Sequence, residues 1–176
     1  MKLSLFLVSM FLLIGMSITE NANAQRGPRG PRTPRQKAAI HHADKVHARR
    51  VIRRTASVIL IAQKKVQENK NYTGDLARAI AHQRYARKLY FRGEFLRAMH
   101  QSRRARQFAI LAIQANKGTE TADMKLDPQD EQVMNENPSS DADVDKDLNA
   151  DSPGYSQKDE DFVNAALNDI DLTDVE

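Results

Sequence analysis

Residues 36–69 read QKAAIHHADKVHARRVIRRTASVILIAQKKVQEN, and this stretch contains neither glycine nor proline. Alanine, arginine, lysine and glutamine dominate it, and these residues favour helix. Apolar side chains recur at three- and four-residue spacing, which is typical of one buried helix face. These side chains are Ile52, Ala56, Ile59, Ala62 and Val66. The stretch therefore predicts a single long amphipathic helix.

Two further amphipathic segments follow, and turn-forming residues separate them. The sequence NKNYTG at 69–74 predicts a turn, with Thr73 or Asp75 capping the second helix. Apolar spacing carries this second helix to a turn at Gly93, and a third helix follows directly. Because short turns favour antiparallel neighbours, residues 37–117 predict a basic all-α domain, an antiparallel three-helix bundle.

The second and third helices resemble a tetratricopeptide helical hairpin. The residues that carry the resemblance are Ala86, Leu89, Gly93, Phe95, Ala98 and Ala105. In that family small residues allow close helix approach, the glycine lies at the turn and the aromatic residue wedges the pair. The match covers about one repeat, and Ser102 stands where the family usually has an aromatic residue. The resemblance implies a local hairpin inside a bundle and, weakly, a peptide-binding role; the sequence shows no second repeat, and solenoids need about three.

Residues 1–24 resemble a secretory signal peptide. Lys2 is followed by an apolar run from Leu3 to Ile18, and Ala22-Asn23-Ala24 matches the small-x-small cleavage pattern. Cleavage after Ala24 predicts a periplasmic or secreted protein without a transmembrane helix in its mature chain. An uncleaved anchor is the alternative, because arginines follow the run closely.

Charge is strongly segregated along the chain. Residues 25–36, an Arg/Pro/Gly-rich stretch, predict an extended linker. Residues 25–117 hold 23 Lys/Arg and four acids, whereas residues 118–176 hold three Lys and 18 Asp/Glu. The polar, acidic composition of residues 118–157 predicts a disordered tail. Such an asymmetry between the two halves indicates a polyanion partner or pairing within the molecule.

Residues 158–176 predict a short acidic amphipathic motif at the end of this tail. Its apolar side chains fall at helical spacing and form a candidate docking surface. They are Phe162, Val163, Ala166, Leu167 and Ile170.

The basic residues of the three predicted helices form a candidate polyanion-binding surface. Arginine outnumbers lysine, and its planar guanidinium suits bidentate recognition of phosphates and carboxylates. The candidates are Arg49, Arg50, Arg53, Arg54, Arg84, Arg87, Lys88, Arg103, Arg104 and Arg106. The predicted export favours an anionic envelope component over genomic DNA, with a membrane surface or an acidic protein segment as further candidates.

The sequence offers little that resembles a catalytic or metal centre. The chain has no cysteine, which excludes disulfides and thiolate metal sites. Asp141, Asp143 and Asp145 alternate as in calcium loops, but Lys146 stands where such a loop needs glycine. The clustered histidines His41, His42 and His47 lack the i, i+4 spacing of a metal pair. We therefore expect a non-enzyme without a cofactor, and specific calcium binding is a minor alternative.

Two functions are compatible with these patterns. In the first, a non-enzymatic exported adaptor binds an anionic partner through its basic helices, and its own acidic tail competes for that surface. In the second, a structural or chaperone-like periplasmic protein holds apolar segments of protein clients between its helices. Salt-sensitive retention on a polyanion would favour the first, and salt-resistant protection of a client the second.

Overall fold

The computed structural model describes residues 33–172, and every regular element in this range is helical. The helices are α1 Pro34–Asn69, α2 Asp75–Phe91, α3 Phe95–Ala115, α4 Pro128–Glu136 and α5 Asp141–Asp151, with short 3-10 turns at Ala122–Met124 and Asp159–Asp161. The predicted all-α class is confirmed. The predicted signal peptide at 1–24 and residues 25–32 of the predicted linker lie outside the described residues. The end of the linker differs from its prediction, because residues 34–36 form the first turn of α1.

The long first helix begins with a complete capping box. The Thr33 side chain accepts a hydrogen bond from the Gln36 N–H, and the Gln36 side chain accepts one from the Thr33 N–H. Pro34 occupies the first turn, where its missing N–H costs nothing. The helix ends at Lys70, whose left-handed backbone has a φ of 57°. Both ends of α1 therefore follow from local sequence.

Helices α1, α2 and α3 pack against one another along their lengths. Near the start of α1, the His41 ring lies 4.8 Å from the Phe95 ring at the start of α3. Beyond the end of α1, the Asn71 N–H donates to the side chain of Asn116, just past the end of α3. These two contacts show that α1 and α3 run in the same direction, and α2, which connects them, runs in the opposite direction. Helix α3 packs against both α1 and α2.

Gln83 ties the centre of the molecule together. Its side chain is completely buried and donates to the main-chain oxygens of Ile52 and Ile170, at 2.8 and 2.9 Å. Its side-chain oxygen accepts a hydrogen bond from the Ser102 hydroxyl at 3.0 Å. A buried amide that meets its partners on separate segments fixes their relative positions, because any shift would leave polar atoms unsatisfied.

The turn after α3 depends on glycine for space. Lys117 adopts the left-handed conformation, and the Gly118 N–H donates to the Ile113 oxygen at 2.8 Å. A Cβ on Gly118 would collide with the Ile113 side chain. Helix α3 thus ends at Ala115, close to the predicted domain boundary at 117, and the left-handed residue of the turn is the lysine.

Residues 118–157 are not disordered in the structure, in contrast to the prediction. Asp127 caps α4 ahead of Pro128, and the Ser140 hydroxyl caps α5 by accepting from the Asp143 N–H. Helix α4 packs on α3, and α5 packs on α2 and α3. The buried apolar side chains of these two helices are Met134, Val144 and Leu148. The prediction failed because each helix has too few apolar residues to signal a core alone; packing on the larger body supplies what is missing.

Residues 158–172 also differ from their prediction, because they form no α-helix. A 3-10 turn at Asp159–Asp161 is followed by turns and irregular chain. The apolar residues nonetheless pack onto α1, α2 and α3, and Ile170 and Leu172 are 1% and 0% exposed. We call residues 118–172 the acidic segment. No helix within the described residues is long and apolar enough to cross a bilayer.

Candidate anion-binding site

The structure places most of the predicted basic side chains opposite carboxylates of the acidic segment. Six cations on α2, on α3 and in the turn between them lie within salt-bridge distance of these carboxylates, and we call these six the basic face. They are Arg84, Lys88, Arg92, Arg97, Arg103 and Arg104.

On α3, arginines bind the aspartates of α5. Arg104 donates to both oxygens of Asp145 at 2.7 and 2.8 Å, a bidentate pair, and also reaches Asp141 at 3.1 Å. Arg103 donates to Asp141 at 2.7 Å. The hydrogen bonds that Arg104 donates to Asp145 are the main reason why the pKa of Arg104 is raised. One turn of an aspartate-rich helix thus occupies positions where phosphates of a ligand could bind.

Arg97, which lies about two turns before Arg104 on α3, donates to Asp147 at 2.6 Å. On α2, Lys88 Nζ lies 2.7 Å from Asp151, the last residue of α5, and Arg84 lies 2.7 Å from Asp169. The acidic segment therefore crosses the whole basic face. Exposed pairs of this kind each contribute at most about 1 kcal/mol, so they determine register more than stability.

A second set of pairs joins α1 to α4. Asp130 is 1% exposed and accepts from Arg50 at 2.7 to 3.1 Å, while its carboxylate also lies 2.7 Å from His47 Nδ1. Arg54 reaches Asp127 at 3.3 Å. Arg53 is exposed on the same helix, and Arg49 and Arg87 are half-buried and engaged in interactions of their own.

Arg106 was predicted to contact a ligand, and this prediction is wrong. Its side chain is 3% exposed and donates to the Thr55 hydroxyl and to the main-chain oxygens of Met124 and Lys125. Burial lowers the pKa of Arg106 to about 10, with repulsion from Arg54 as the next cause. Its charge serves to hold the chain between α3 and α4.

The apolar residues predicted for tail docking meet the body, with one exception. Val163, Leu167 and Ile170 are buried against α1, α2 and α3. The Phe162 ring lies under the Arg84 guanidinium, 5.3 Å from its centroid. Ala166 is exposed. The helical spacing that suggested docking is incidental, because these residues lie in turns.

Asp159 caps α2 from a distant part of the chain. Its carboxylate is 1% exposed and accepts hydrogen bonds from the N–H groups of Gly74 and Ala77, at 2.9 and 3.0 Å. Thr73 or Asp75 was predicted to cap this helix, but the Thr73 hydroxyl accepts only a longer bond from the Asp75 N–H, at 3.3 Å, and donates to the Asp75 carboxylate at 2.7 Å. A buried carboxylate at a helix N-terminus gains from both hydrogen bonds and the helix dipole.

Three histidines contact the acidic segment. His47 faces Asp130, His82 Nε2 lies 3.4 Å from Asp145, and His100 Nε2 donates to the Asn137 oxygen at 2.7 Å. Burial is the main cause that lowers the pKa of both His82 and His100, and Arg103 adds to it for His100. Nδ1 of His100 is buried without a hydrogen-bond partner, so a second proton there would be unsatisfied.

Acidification from about pH 7.5 to about pH 5.5 is expected to lower the free energy of unfolding. Both folded-state pKa values lie below the ordinary value of about 6.5, so below that pH the unfolded chain binds protons that the folded chain does not. Above it both states are neutral and stability is unaffected by these groups. Urea unfolding at the two pH values measures the loss. The His82→Gln, His100→Gln double variant should flatten it, and an equally steep fall in that variant would contradict the assignment.

The alternating aspartates do not form a calcium loop. Asp141, Asp143 and Asp145 lie in the first turns of α5, where Asp141 and Asp145 bind arginines and Asp143 accepts from Ser140. Within residues 33–172 no group of three or more potential metal ligands occurs. Along a helix Asp141 and Asp145 share one face, where both bind Arg104, and Asp143 points away from them.

A shallow depression lies beside the basic face. It has a volume of about 500 Å³ and is lined by the cations of α2 together with Phe91 and Asp169. Phe91 is 55% exposed, and the Arg87 guanidinium lies 5.1 Å from its ring centroid. This depression is the part of the α2 surface where a ligand could bind next to the acidic segment.

The sequence interpretation missed several residues of this site. Arg92 and Arg97 belong to the basic face. The two most buried carboxylates of the acidic segment were also missed: Asp130, which binds Arg50, and Asp159, which caps α2. Two signals were present: Asp127-Pro128 has the form of a helix cap followed by a first-turn proline, and Ser140 precedes an acidic residue by three positions.

No protein-family model matches the chain, and no curated protein or solved structure is significantly similar to it. The resemblance to a tetratricopeptide hairpin therefore stays a prediction. Function has to be inferred from the contacts and charges of the chain itself.

Proposed function

We propose that this chain is a non-enzymatic, exported binding protein whose basic face engages an anionic envelope partner. In this proposal the three long helices serve as an antiparallel bundle, with α2 and α3 as a tetratricopeptide-like hairpin. The acidic segment is the internal competitor for the same surface. Cleavage after Ala24 and a periplasmic or secreted location belong to the proposal.

One observation carries it. Seven aspartates of the acidic segment each lie within salt-bridge distance of a cation on α1, α2 or α3. They are Asp127, Asp130, Asp141, Asp145, Asp147, Asp151 and Asp169. Carboxylates and phosphates use the same guanidinium geometry, so a segment that satisfies these arginines is the natural mimic of an anionic ligand.

Deleting the acidic segment is a poor test, because the deletion would also uncover apolar side chains of the long helices on which it packs, such as Leu89 in the cluster with Leu148. Neutralising three aspartates of α5 keeps the shape of the segment. The variant Asp141→Asn, Asp145→Asn, Asp147→Asn is expected to bind a short DNA duplex, used as a polyphosphate probe, more tightly. Its plot of log affinity against log salt should steepen by about one unit per freed cation.

The matched control removes three acids that make no salt bridge to a described cation: Glu120→Gln, Asp123→Asn and Glu131→Gln. The net charge of this control changes by the same amount as that of the α5 variant, so the control reports only the long-range electrostatic effect of the added positive charge. Equal gains in both variants would contradict competition at the basic face. Salt-independent binding of an unfolded client would instead support the chaperone-like alternative.

A further inference from the structure

Helix α1 has one face that neither α2, α3 nor the acidic segment buries. Its residues follow three- and four-residue spacing and therefore lie in one line. They are the exposed residues His42, Val46, Arg53, Ser57, Leu60 and Lys64, together with the half-buried Arg49, which is engaged in interactions of its own, and we call this line the α1 outer stripe. The buried residues of α1, such as Ile52, Ile59 and Ala62, lie on other faces.

The acidic segment leaves this part of α1 uncovered. Its pairs with α1 fall on Arg50 and Arg54, at the flank of the stripe, and α5 packs on α2 and α3. Arg53 is exposed and its guanidinium has no ion pair among residues 33–172, and the same holds for Arg35 and Lys45 before it. Positive charge on α1 therefore persists while the basic face is covered.

Acidic groups near the stripe are few. Asp44 and Glu68 are the acids of α1 itself; Glu68 pairs with Lys65 and also lies close enough to Lys64 for that lysine to help lower the Glu68 pKa. From α4, Asp127 and Asp130 face the flanking arginines.

Exposed apolar side chains interrupt the cations of the stripe. Val46 is 51% exposed and Leu60 is 49% exposed. Cations alternating with apolar side chains along a straight helix are typical of helices that lie in the headgroup region of an anionic bilayer. A polyphosphate chain would gain nothing from the apolar positions.

We infer that the α1 outer stripe is a docking surface for an anionic lipid bilayer. At about 1.5 Å per residue, the line from His42 to Lys64 extends over about 33 Å, which suits a flat partner. In sequence it follows the basic stretch 25–36, which remains after the proposed cleavage. The inference goes beyond the proposed function, because the stripe is open without any displacement of the acidic segment.

The absence of cysteine permits a site-specific test with the full chain. An environment-sensitive fluorophore is attached at Ser57→Cys on the stripe or, as the control position, at Ala150→Cys on α5. Vesicles of phosphatidylglycerol and phosphatidylcholine should shift the emission of the label at 57 to the blue and leave the label at 150 unchanged. Vesicles of phosphatidylcholine alone should shift neither.

Charge variants then measure the contribution of the stripe. With the label at 57, Arg53→Gln plus Lys64→Gln should lower the partition onto anionic vesicles about 25-fold, from about five-fold per cation near the surface. The matched variant Lys125→Gln plus Lys146→Gln removes the same charge from exposed positions outside α1 and should change it little.

Equal shifts at both labelled positions, equal losses in both charge variants, or a shift with the DNA duplex but none with anionic vesicles would each overturn the inference. These outcomes are independent of the proposed function, whose test depends on the aspartates of α5. The experiments can show that α1 does not dock on vesicles while the aspartates of α5 still compete at the basic face, and they can also show the opposite result.

Discussion

The Leu148→Ala variant is expected to lose about 3 kcal/mol of unfolding free energy, measured by urea denaturation followed by circular dichroism. Leu148 is 1% exposed, and its α5 side chain belongs to the core cluster that also contains Tyr85 and Leu89 of α2. Truncating a buried leucine removes its transfer free energy and leaves a cavity, which together cost about 2–5 kcal/mol.

The matched control is Leu111→Ala on α3, where the same side chain is 47% exposed. Its loss should stay within about 0.5 kcal/mol, because little apolar area leaves the core. Comparing the stability losses of the two variants distinguishes a packed acidic segment from the disordered tail that the composition predicts. If Leu148→Ala were as mild as Leu111→Ala, the packing of α5 on α2 would be wrong.

The Asp130→Asn variant is expected to lose about 2 kcal/mol in the same measurement. The carboxylate is 1% exposed and accepts from two nitrogens of Arg50, which is itself 32% exposed. Removing one member of a buried pair leaves the other charge unsatisfied, at a typical cost of about 3–5 kcal/mol. Water can reach part of Arg50, and this keeps the expected loss at the lower value.

Asp169→Asn is the matched control, because Asp169 and its partner Arg84 are 49% and 40% exposed. A pair this open to solvent contributes about 0–1 kcal/mol. The difference between the two variants should shrink little in high salt, since Asp130 is shielded from ions. Equal losses in the two variants would show that the Asp130–Arg50 pair contributes no more to the free energy of unfolding than an ordinary surface ion pair.

These magnitudes restrict how an anionic partner can gain access to the basic face. Large apolar side chains of the acidic segment itself, such as Ile170 and Leu172, are buried against the long helices, and each contributes about 1.5–3 kcal/mol. Releasing the whole segment would therefore cost more than a typical anionic ligand can offset. Exchange of individual ion pairs on α5, with the segment still packed, is the route consistent with the contacts.

The sequence predicted the three long helices well because their signals are local. Helix α1 has high propensity over its whole length and a turn cluster at its end, and Gly93, with a φ of 78°, marks the break between α2 and α3. Each of these helices also carries a long apolar face of its own. A pattern that repeats over several turns can be recognised without knowing its partner.

Only part of the basic face was predicted, because the burial of charged side chains cannot be inferred from local patterns. Charge is visible in a sequence, but burial of a charged group is not. Arg104 is at the surface and binds aspartates, whereas Arg106, two residues later, is buried against Thr55. Two positions along a helix turn a side chain by about 200°, so the helix orientation separates them.

By itself the sequence determined the helical class, the extents of α1, α2 and α3, and the separation of positive from negative charge along the chain. Only the tertiary structure decided that the acidic segment is an ordered layer and which carboxylate meets which cation. The physical reason is that α4 and α5 are each too short to be stable alone. Their order comes from apolar side chains such as Met134 and Leu148 meeting a surface formed by residues far away in the sequence.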